Sequence, residues 1–453
     1  MVSKRFSLAV LAASACCATP AVAGEYKETF VWLAQGQPAV LYEPVAPGPK
    51  ADITIFAMHP LGDYLAPRPT NTCMQLASRG YRALCANASS SKTGLIGDMN
   101  QDRLTLNVKA GMEWLRKQPW AKKVVIFGHS GGGAMMAAYQ NIAENGVKVC
   151  QDPAKLIPCP DTLANLPAAD GVMLIDSSMG MPGSNMISID PSIIDDEDST
   201  KVDPSLDMYN PANGFNPAGS TYSPEFKARF FAAQASRMNR LIAKAQARLA
   251  LIKAGKGRFK DDEPFIVAGA VPDENKLNNQ DVSLLSRTQG SYPLLHAGGR
   301  MTTGVVPTVR VPHGTASPTP LLENTLETTV KTFLSTFAIR ALPDYGYDET
   351  GFHGIDFNSS YGATYNNVPG ISKPLLQMGL TGSYEYSFVE GARARATKSQ
   401  DKTVAYVEGA THGFRPCTEC AAAKGLPADY YGDTVKTLYD YIDGWLSKPG
   451  RFQ

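Results

Sequence analysis

One pentapeptide constrains this chain more than any other feature: Gly128-His129-Ser130-Gly131-Gly132, directly after the apolar run Val124–Phe127 and directly before the small-residue stretch Gly131–Glu144. A strand that must turn within one residue into a helix leaves no room for side chains on either side of the bend. Glycine at 128 and 132 meets that requirement, and any larger group there would collide with the neighbouring strand or helix. The residue at the bend, Ser130, is then held in a strained conformation with its hydroxyl exposed. The N-terminus of the following helix points at whatever reacts with that hydroxyl, and its dipole favours developing negative charge.

The surrounding pattern places this bend in a layered α/β protein. Ile53–Met58, Tyr81–Ala86, Lys123–Phe127 and Gly171–Ile175 read as strands, and 70–79, Asp102–Gln118 and Gly131–Glu144 as helices between them. In the second helix Leu104, Val108, Met112 and Leu115 form one stripe, stopped by Pro119. Such alternation predicts a parallel sheet covered by helices. Tyr26–Ala34 and Ala39–Pro44, flanking Gln35-Gly36-Gln37-Pro38, predict a β-hairpin ahead of it.

The rhythm breaks from about 177 to 345. Ser223-Pro224 opens a long helix, with Phe231, Ala235, Met238, Ile242, Ala245, Leu249 and Ile252 as a buried seam and Arg229, Arg240, Lys244 and Arg248 on a solvated face. A further helix is expected from Pro320 to Ile339. Alternation resumes with strands at Pro374–Gly379 and Thr403–Val407 and a closing helix at Thr434–Leu446. The expected organisation is a leader at 1–23, a core of 24–176 and 346–453, and a mainly helical cap at 177–345.

The leader is read from Lys4 and Arg5, the short apolar stretch Phe6–Cys17 and the small-residue site Ala21-Val22-Ala23. It predicts a protein exported to the periplasm or the exterior. No later segment is long and apolar enough for a transmembrane helix. Of the eight cysteines, six follow the leader, and an oxidising compartment favours disulfides. Fifteen pairings are possible. The simplest joins neighbours: Cys73–Cys85, Cys150–Cys159 and Cys417–Cys420. The composition of 453 residues, 43% hydrophobic and 19% charged, fits a packed globule, and a net charge of +1 without a basic stripe gives no footprint for nucleic acid.

A hydroxyl needs a base to become a nucleophile near neutral pH. Six histidines are available. His129 lies inside the bend and cannot fold back onto Ser130. His59 ends an early strand, and His296, His313 and His353 fall in the insertion or its exit. His412, in Gly409-Ala410-Thr411-His412-Gly413-Phe414, follows the strand Thr403–Val407 on the sheet edge that also carries Ser130, and is the expected base. The base needs a carboxylate to orient it. Glu385, the first after the strand Pro374–Gly379, is the leading candidate, with Asp176 and Glu390 as alternatives. Two backbone N–H groups should hold the oxyanion: Gly131, and from His59-Pro60-Leu61-Gly62-Asp63 either Leu61 or, failing that, Gly62, since Pro60 has no N–H.

The His59-Pro60-Leu61 turn, the Gly-His-Ser-Gly-Gly bend and the Thr411-His412-Gly413 loop, in that order, resemble the α/β-hydrolase superfamily over roughly 26–176 and 370–450. Pro60 departs from the usual glycine, and no Asp stands directly after the strand Pro374–Gly379. The resemblance implies a mostly parallel central sheet, a large cap, and a serine hydrolase, most often a carboxylesterase or lipase, acting on a small-molecule or oligomeric ester through an acyl-enzyme. A serine peptidase or amidase on the same fold and an inactive, hydrolase-like binding protein are the alternatives. No cofactor is expected. Asp190, Asp195, Asp196, Glu197 and Asp198 lack the glycine and spacing of a Ca²⁺ loop and read as a solvated acidic loop. The aromatics Phe226, Phe230, Phe231, Tyr347, Phe352, Phe357 and Tyr361 either line a substrate pocket or pack the cap.

Overall fold

The computed structural model describes residues 24–90, 96–271, 276–312 and 325–452. The leader and His313 therefore lie outside the described residues. Ten strands form one sheet. In spatial order they are β1 (Tyr26–Trp32), β2 (Pro38–Pro44), β4 (Arg82–Asn87), β3 (Ile53–His59), β5 (Lys123–Ser130), β6 (Gly171–Ser177), β13 (Leu375–Leu380), β14 (Lys402–Val407), β8 (Arg287–Leu295) and β9 (Met301–Pro307). The remaining strands make two ribbons, β7 (Pro264–Ala268) with β10 (Thr325–Thr329) and β11 (Arg340–Tyr347) with β12 (Phe352–Asp356). From β4 to β8 every neighbouring pair is parallel. β2 is antiparallel to both its neighbours, and β9 is antiparallel to β8. A run of β1-β2-β4-β3-β5-β6 continued by two more parallel strands, with only the second reversed, is the α/β-hydrolase fold.

The period of two decides which side chain goes to which face. Phe56 and Met58 of β3, Val124 and Ile126 of β5, and Val172 and Leu174 of β6 enter one core. Ile53, Ile55, Ala57, Val125, Phe127, Met173 and Ile175 enter the other. Helices α1 (Thr72–Ala77), α2 (Gln101–Arg116) and α3 (Gly131–Asn145) follow β3, β4 and β5 as expected. α2 and α3 cover the first face, while α1 and the helix Thr434–Leu446 cover the second, the latter through Leu438, Tyr439, Ile442, Trp445 and Leu446. The neighbouring cysteine pairs all close: Cys73–Cys85 ties α1 to β4, Cys150–Cys159 closes a short loop, and Cys417–Cys420 spans the first turn of the helix Thr418–Ala423. No helix among the described residues is long and apolar enough to cross a membrane.

The interval 177–345 is less uniform than the sequence pattern predicts. β8 and β9 lie inside it, yet β8 pairs with β14 through Tyr406–Leu294 and Val407–Leu295 and so extends the central sheet. The expected helix Pro320–Ile339 falls partly outside the described residues. Its described part begins as a strand, Thr325–Thr329, and only then makes one helical turn, Val330–Thr332, and a π-type turn, Phe333–Phe337. Three threonines in five residues favour the extended backbone there, and β7 supplies the partner.

The two longest helices described in this interval are α4 (Met181–Ser188) and α5 (Pro224–Lys253). In α5 the Ser223 hydroxyl caps the Phe226 N–H at 3.1 Å, and all seven predicted seam residues are buried. The opposite face is only partly solvated: Arg248 clamps Glu263 and Lys244 pairs with Glu197. Phe226, Phe230 and Phe231 are buried, and their stack continues into Tyr345, Tyr347 and Phe352. These rings are core packing. The acidic loop, expected to be solvated, is instead tied to α5, as Asp196 accepts from the fully buried Arg237.

Candidate active site

Ser130 occupies the bend between β5 and α3 with φ 55 and ψ −130, a region that a residue with a side chain rarely enters. The glycines around it account for that strain. A Cβ at Gly128 would stand 2.3 Å from the Gly132 carbonyl oxygen, and one at Gly132 would stand 2.7 Å from that of Met58. Gly133, which no sequence pattern singles out, is equally constrained, with Ser177 Oγ 2.2 Å from where its Cβ would be.

Next to Ser130, the β5–β6 ladder slips. His129 is opposite Ile175, but Ser130 is opposite Ser177, so Asp176 is an extra, bulged residue with φ 44. Bulges re-aim side chains at the ends of strands, and here the carboxylate meets His412. Asp176 Oδ2 lies 2.8 Å from His412 Nδ1, while its Oδ1 accepts the Leu380 N–H at 3.1 Å. A carboxylate only accepts, so Nδ1 carries the proton and Nε2 keeps its lone pair. Asp176 is fully buried, whereas the His412 side chain is 36% exposed.

The other carboxylates fall in different places. Glu385 Oε2 is 3.7 Å from the same Nδ1, beyond hydrogen-bond length, and Glu390 accepts the Gln289 and Gly290 N–H groups at 2.8 Å, in a separate part of the molecule. The resemblance puts the acid after β13. A bulge at the end of β6 has no sequence signature beyond an Asp closing an apolar run.

The loop that carries His412 is stitched to itself. Ala410 bridges to Pro416, the Thr411 N–H donates to the Arg415 carbonyl at 2.8 Å, and the Cys417 N–H donates to the Gly409 carbonyl at 2.8 Å. The Cys417–Cys420 disulfide follows immediately. Ser130, His412, His129, His59, Arg68 and Phe414 all line one cleft of about 340 Å³.

The turn after β3 abuts the bend, with Pro60 Cγ 3.4 Å from where a Gly131 Cβ would stand. Its N–H groups depart from expectation. Leu61 N–H donates to His59 Nδ1 at 3.1 Å, and Gly62 N–H, the fallback, donates to the same nitrogen at 2.6 Å. An acceptor two and three residues upstream closes the turn much as an Asx side chain does. Neither N–H is therefore poised for an oxyanion until His59 moves. Gly131 opens α3, where the first N–H groups have no partner within the helix.

His296 is excluded as a base because both ring nitrogens are engaged, Nδ1 with Glu408 at 2.6 Å and Nε2 with Thr302 at 2.7 Å. His353 is exposed on β12. His129 packs its ring 4.5 Å from those of both His412 and Phe414. Burial, and then the neighbouring His412 and His59, hold the His129 pKa well below 6.5. A folded-state pKa below that of the unfolded chain means that the unfolded chain binds the extra proton first. The stability this neutral ring contributes is present above pH 6.5 and is lost as pH falls below it. Urea midpoints measured from pH 7 to 5 should therefore fall more steeply for the wild type than for His129→Asn, by at most about 1.4 kcal/mol per pH unit. Parallel curves would remove His129 as the cause.

Comparison with known proteins adds names but little weight. No family model matches the chain, and no curated protein matches it in sequence. Similar solved structures include hypothetical protein PA2218 from Pseudomonas aeruginosa, with 13% identity, 94% of this chain and 95% of that chain covered and a TM-score of 0.40. An inhibited esterase B from Lactobacillus rhamnosis has 10% identity, coverage of 93% and 87% and a TM-score of 0.39. Brefeldin A esterase, described as a bacterial homologue of human hormone-sensitive lipase, has 12% identity, coverage of 97% and 80% and a TM-score of 0.39. At these scores the likeness says nothing about chemistry, and the fold rests on the strand order of the central sheet.

Proposed function

We propose that the chain is an exported serine hydrolase that cleaves carboxylic esters through an acyl-enzyme. The observation that carries this reading is the convergence of a strained Ser130 with a His412 whose Nδ1 is 2.8 Å from the buried Asp176, Ser130 and His412 lining one cleft. In this reading Ser130 Oγ attacks the ester carbonyl carbon and passes its proton to His412 Nε2. Asp176, rather than Glu385, orients the ring and stabilises the imidazolium. The oxyanion is held by the Gly131 N–H, and Leu61 becomes the second donor when His59 releases it. The tetrahedral species collapses, the C–O bond to the alcohol breaks, and the alcohol leaves with the proton from Nε2. A water molecule, deprotonated by the same nitrogen, then frees the acid and regenerates Ser130.

The cleft argues for short substrates. At about 340 Å³ it lies at the lower end of the usual range for ligand pockets, and Arg68, Thr70, Asn71 and Thr72 line it beside the rings. On a panel of p-nitrophenyl esters, kcat/KM should be highest for acetate to butyrate and should fall by an order of magnitude or more by the dodecanoate. A fluorophosphonate probe should add one phosphonyl group, on the Ser130 peptide. A protein that neither labels nor turns over any ester would end the hydrolase reading.

A further inference from the structure

Two buried carboxylates face one imidazole nitrogen, and the proposed mechanism uses only one. His412 Nδ1 is 2.8 Å from Asp176 Oδ2, 3.7 Å from Glu385 Oε2 and 3.3 Å from Ser383 Oγ. The Asp176 side chain is fully buried and that of Glu385 is 3% exposed, so water screens neither charge well. Both are set by the same turn. At the end of β13 the Leu380 N–H fixes Asp176 Oδ1, and the Ser383 N–H donates to the Leu380 carbonyl at 2.8 Å. The Glu385 N–H in turn donates to Ser383 Oγ at 3.2 Å. Two carboxylates this close to one imidazole favour its charged form.

Resting on the triad reading, we propose that Glu385 is a second, positioning carboxylate for His412: it stabilises the imidazolium formed during turnover and takes over the orientation of the ring when Asp176 is lost. The 3.7 Å separation suits that role, since it is too long to compete with Asp176 for the Nδ1 proton but close enough for Coulomb attraction once the ring is charged. A rotation of the ring or of the glutamate brings Oε2 into hydrogen-bond range.

The other groups around the ring come from every packed element. They are His129 at the end of β5, the Tyr384 ring stacked at 6.1 Å, and Lys276, whose Nζ is 4.1 Å from the Tyr384 ring. Arg68 and His59 share the cleft. Each of these is neutral or cationic, so the two acids are the negative charges that the imidazolium meets.

The test uses the full chain with p-nitrophenyl acetate over pH 5 to 9, comparing wild type, Glu385→Gln, Asp176→Asn and the double variant. Removing the glutamate charge makes the imidazolium less favourable. Glu385→Gln should therefore lower kcat about tenfold with KM within twofold, and move the rising limb of kcat/KM to lower pH by about half a unit or more. Asp176→Asn should retain at least about ten times the activity of the double variant, because Glu385 still holds the ring. A purely structural glutamate would lower the melting temperature without moving the limb. If the glutamine variant does not fold, Glu385→Asp, with its charge one methylene further back, serves in its place and should move the limb in the same direction. An unmoved limb, or a double variant no worse than Asp176→Asn, overturns the second carboxylate and leaves the triad intact. Full activity in Asp176→Asn together with full activity in Ser130→Ala overturns the triad itself.

Discussion

Ser130→Ala should lose roughly four to six orders of magnitude in kcat on p-nitrophenyl acetate while its circular dichroism and melting profile stay those of the wild type. In the proposed mechanism the hydroxyl oxygen is the atom that forms the covalent bond, so its removal costs this much. The residue left behind still has a Cβ at φ 55, so the strain of the bend survives the substitution. Ser130→Gly separates the two properties. Glycine adopts that backbone without steric strain, and the relief outweighs its greater loss of chain entropy, so this variant should be equally inactive yet more stable by about 1 kcal/mol, read from urea unfolding. Activity within tenfold of wild type in Ser130→Ala would show that turnover comes from another group. A glycine variant less stable than the alanine one would show that the bend is not strained.

That trade-off also explains what could be read in the sequence. The bend was legible because steric exclusion leaves glycine no substitute at 128 and 132, and the close contacts with Gly132 and Met58 show the reason. β3, β5, β6 and Thr434–Leu446 were legible because their periodicity matches the faces they bury. His412 was legible from its position after β14. What could not be read depends on single-residue offsets and long-range pairing. Asp176 reaches His412 through a one-residue slip against β5. The turn after β3 keeps its N–H groups on His59, a choice made by local geometry rather than residue type. β8 joins the central sheet through only two paired residues at its end, Leu294 and Leu295, and its sequence, with Gly290 and Pro293 and a single β-branched residue, Thr288, does not announce a strand. Arg237 has no signature in the sequence, because a buried cation beside the hydrophobic seam of α5 interrupts no periodicity.

Arg237→Ala should destabilise the protein by about 3–5 kcal/mol, more than any truncation on the exposed face of α5. The guanidinium is 1% exposed and makes four hydrogen bonds to three residues. Nε and Nη2 donate to Asp196 at 2.9 and 2.8 Å, Nη1 donates to the Asp190 carbonyl at 2.6 Å, and Nη2 also donates to the Ala268 carbonyl at 2.8 Å. Truncation strands the Asp196 carboxylate, only 15% exposed, and leaves two carbonyls unsatisfied beside a cavity. Lysine cannot repair this, because one ammonium cannot reach all the acceptors that a planar fork spans, so Arg237→Lys should recover less than half of the loss. Asp196→Asn should cost less than Arg237→Ala, since the amide oxygen still accepts and the carbonyl bonds remain. The ordering Ala, then Lys, then Asn at 196, measured by urea unfolding, reflects hydrogen bonds lost rather than charge lost. If Asp196→Asn matched Arg237→Ala, the ion pair alone would hold the acidic loop to α5. If Arg237→Ala cost under about 1 kcal/mol, the loop would not depend on this contact at all.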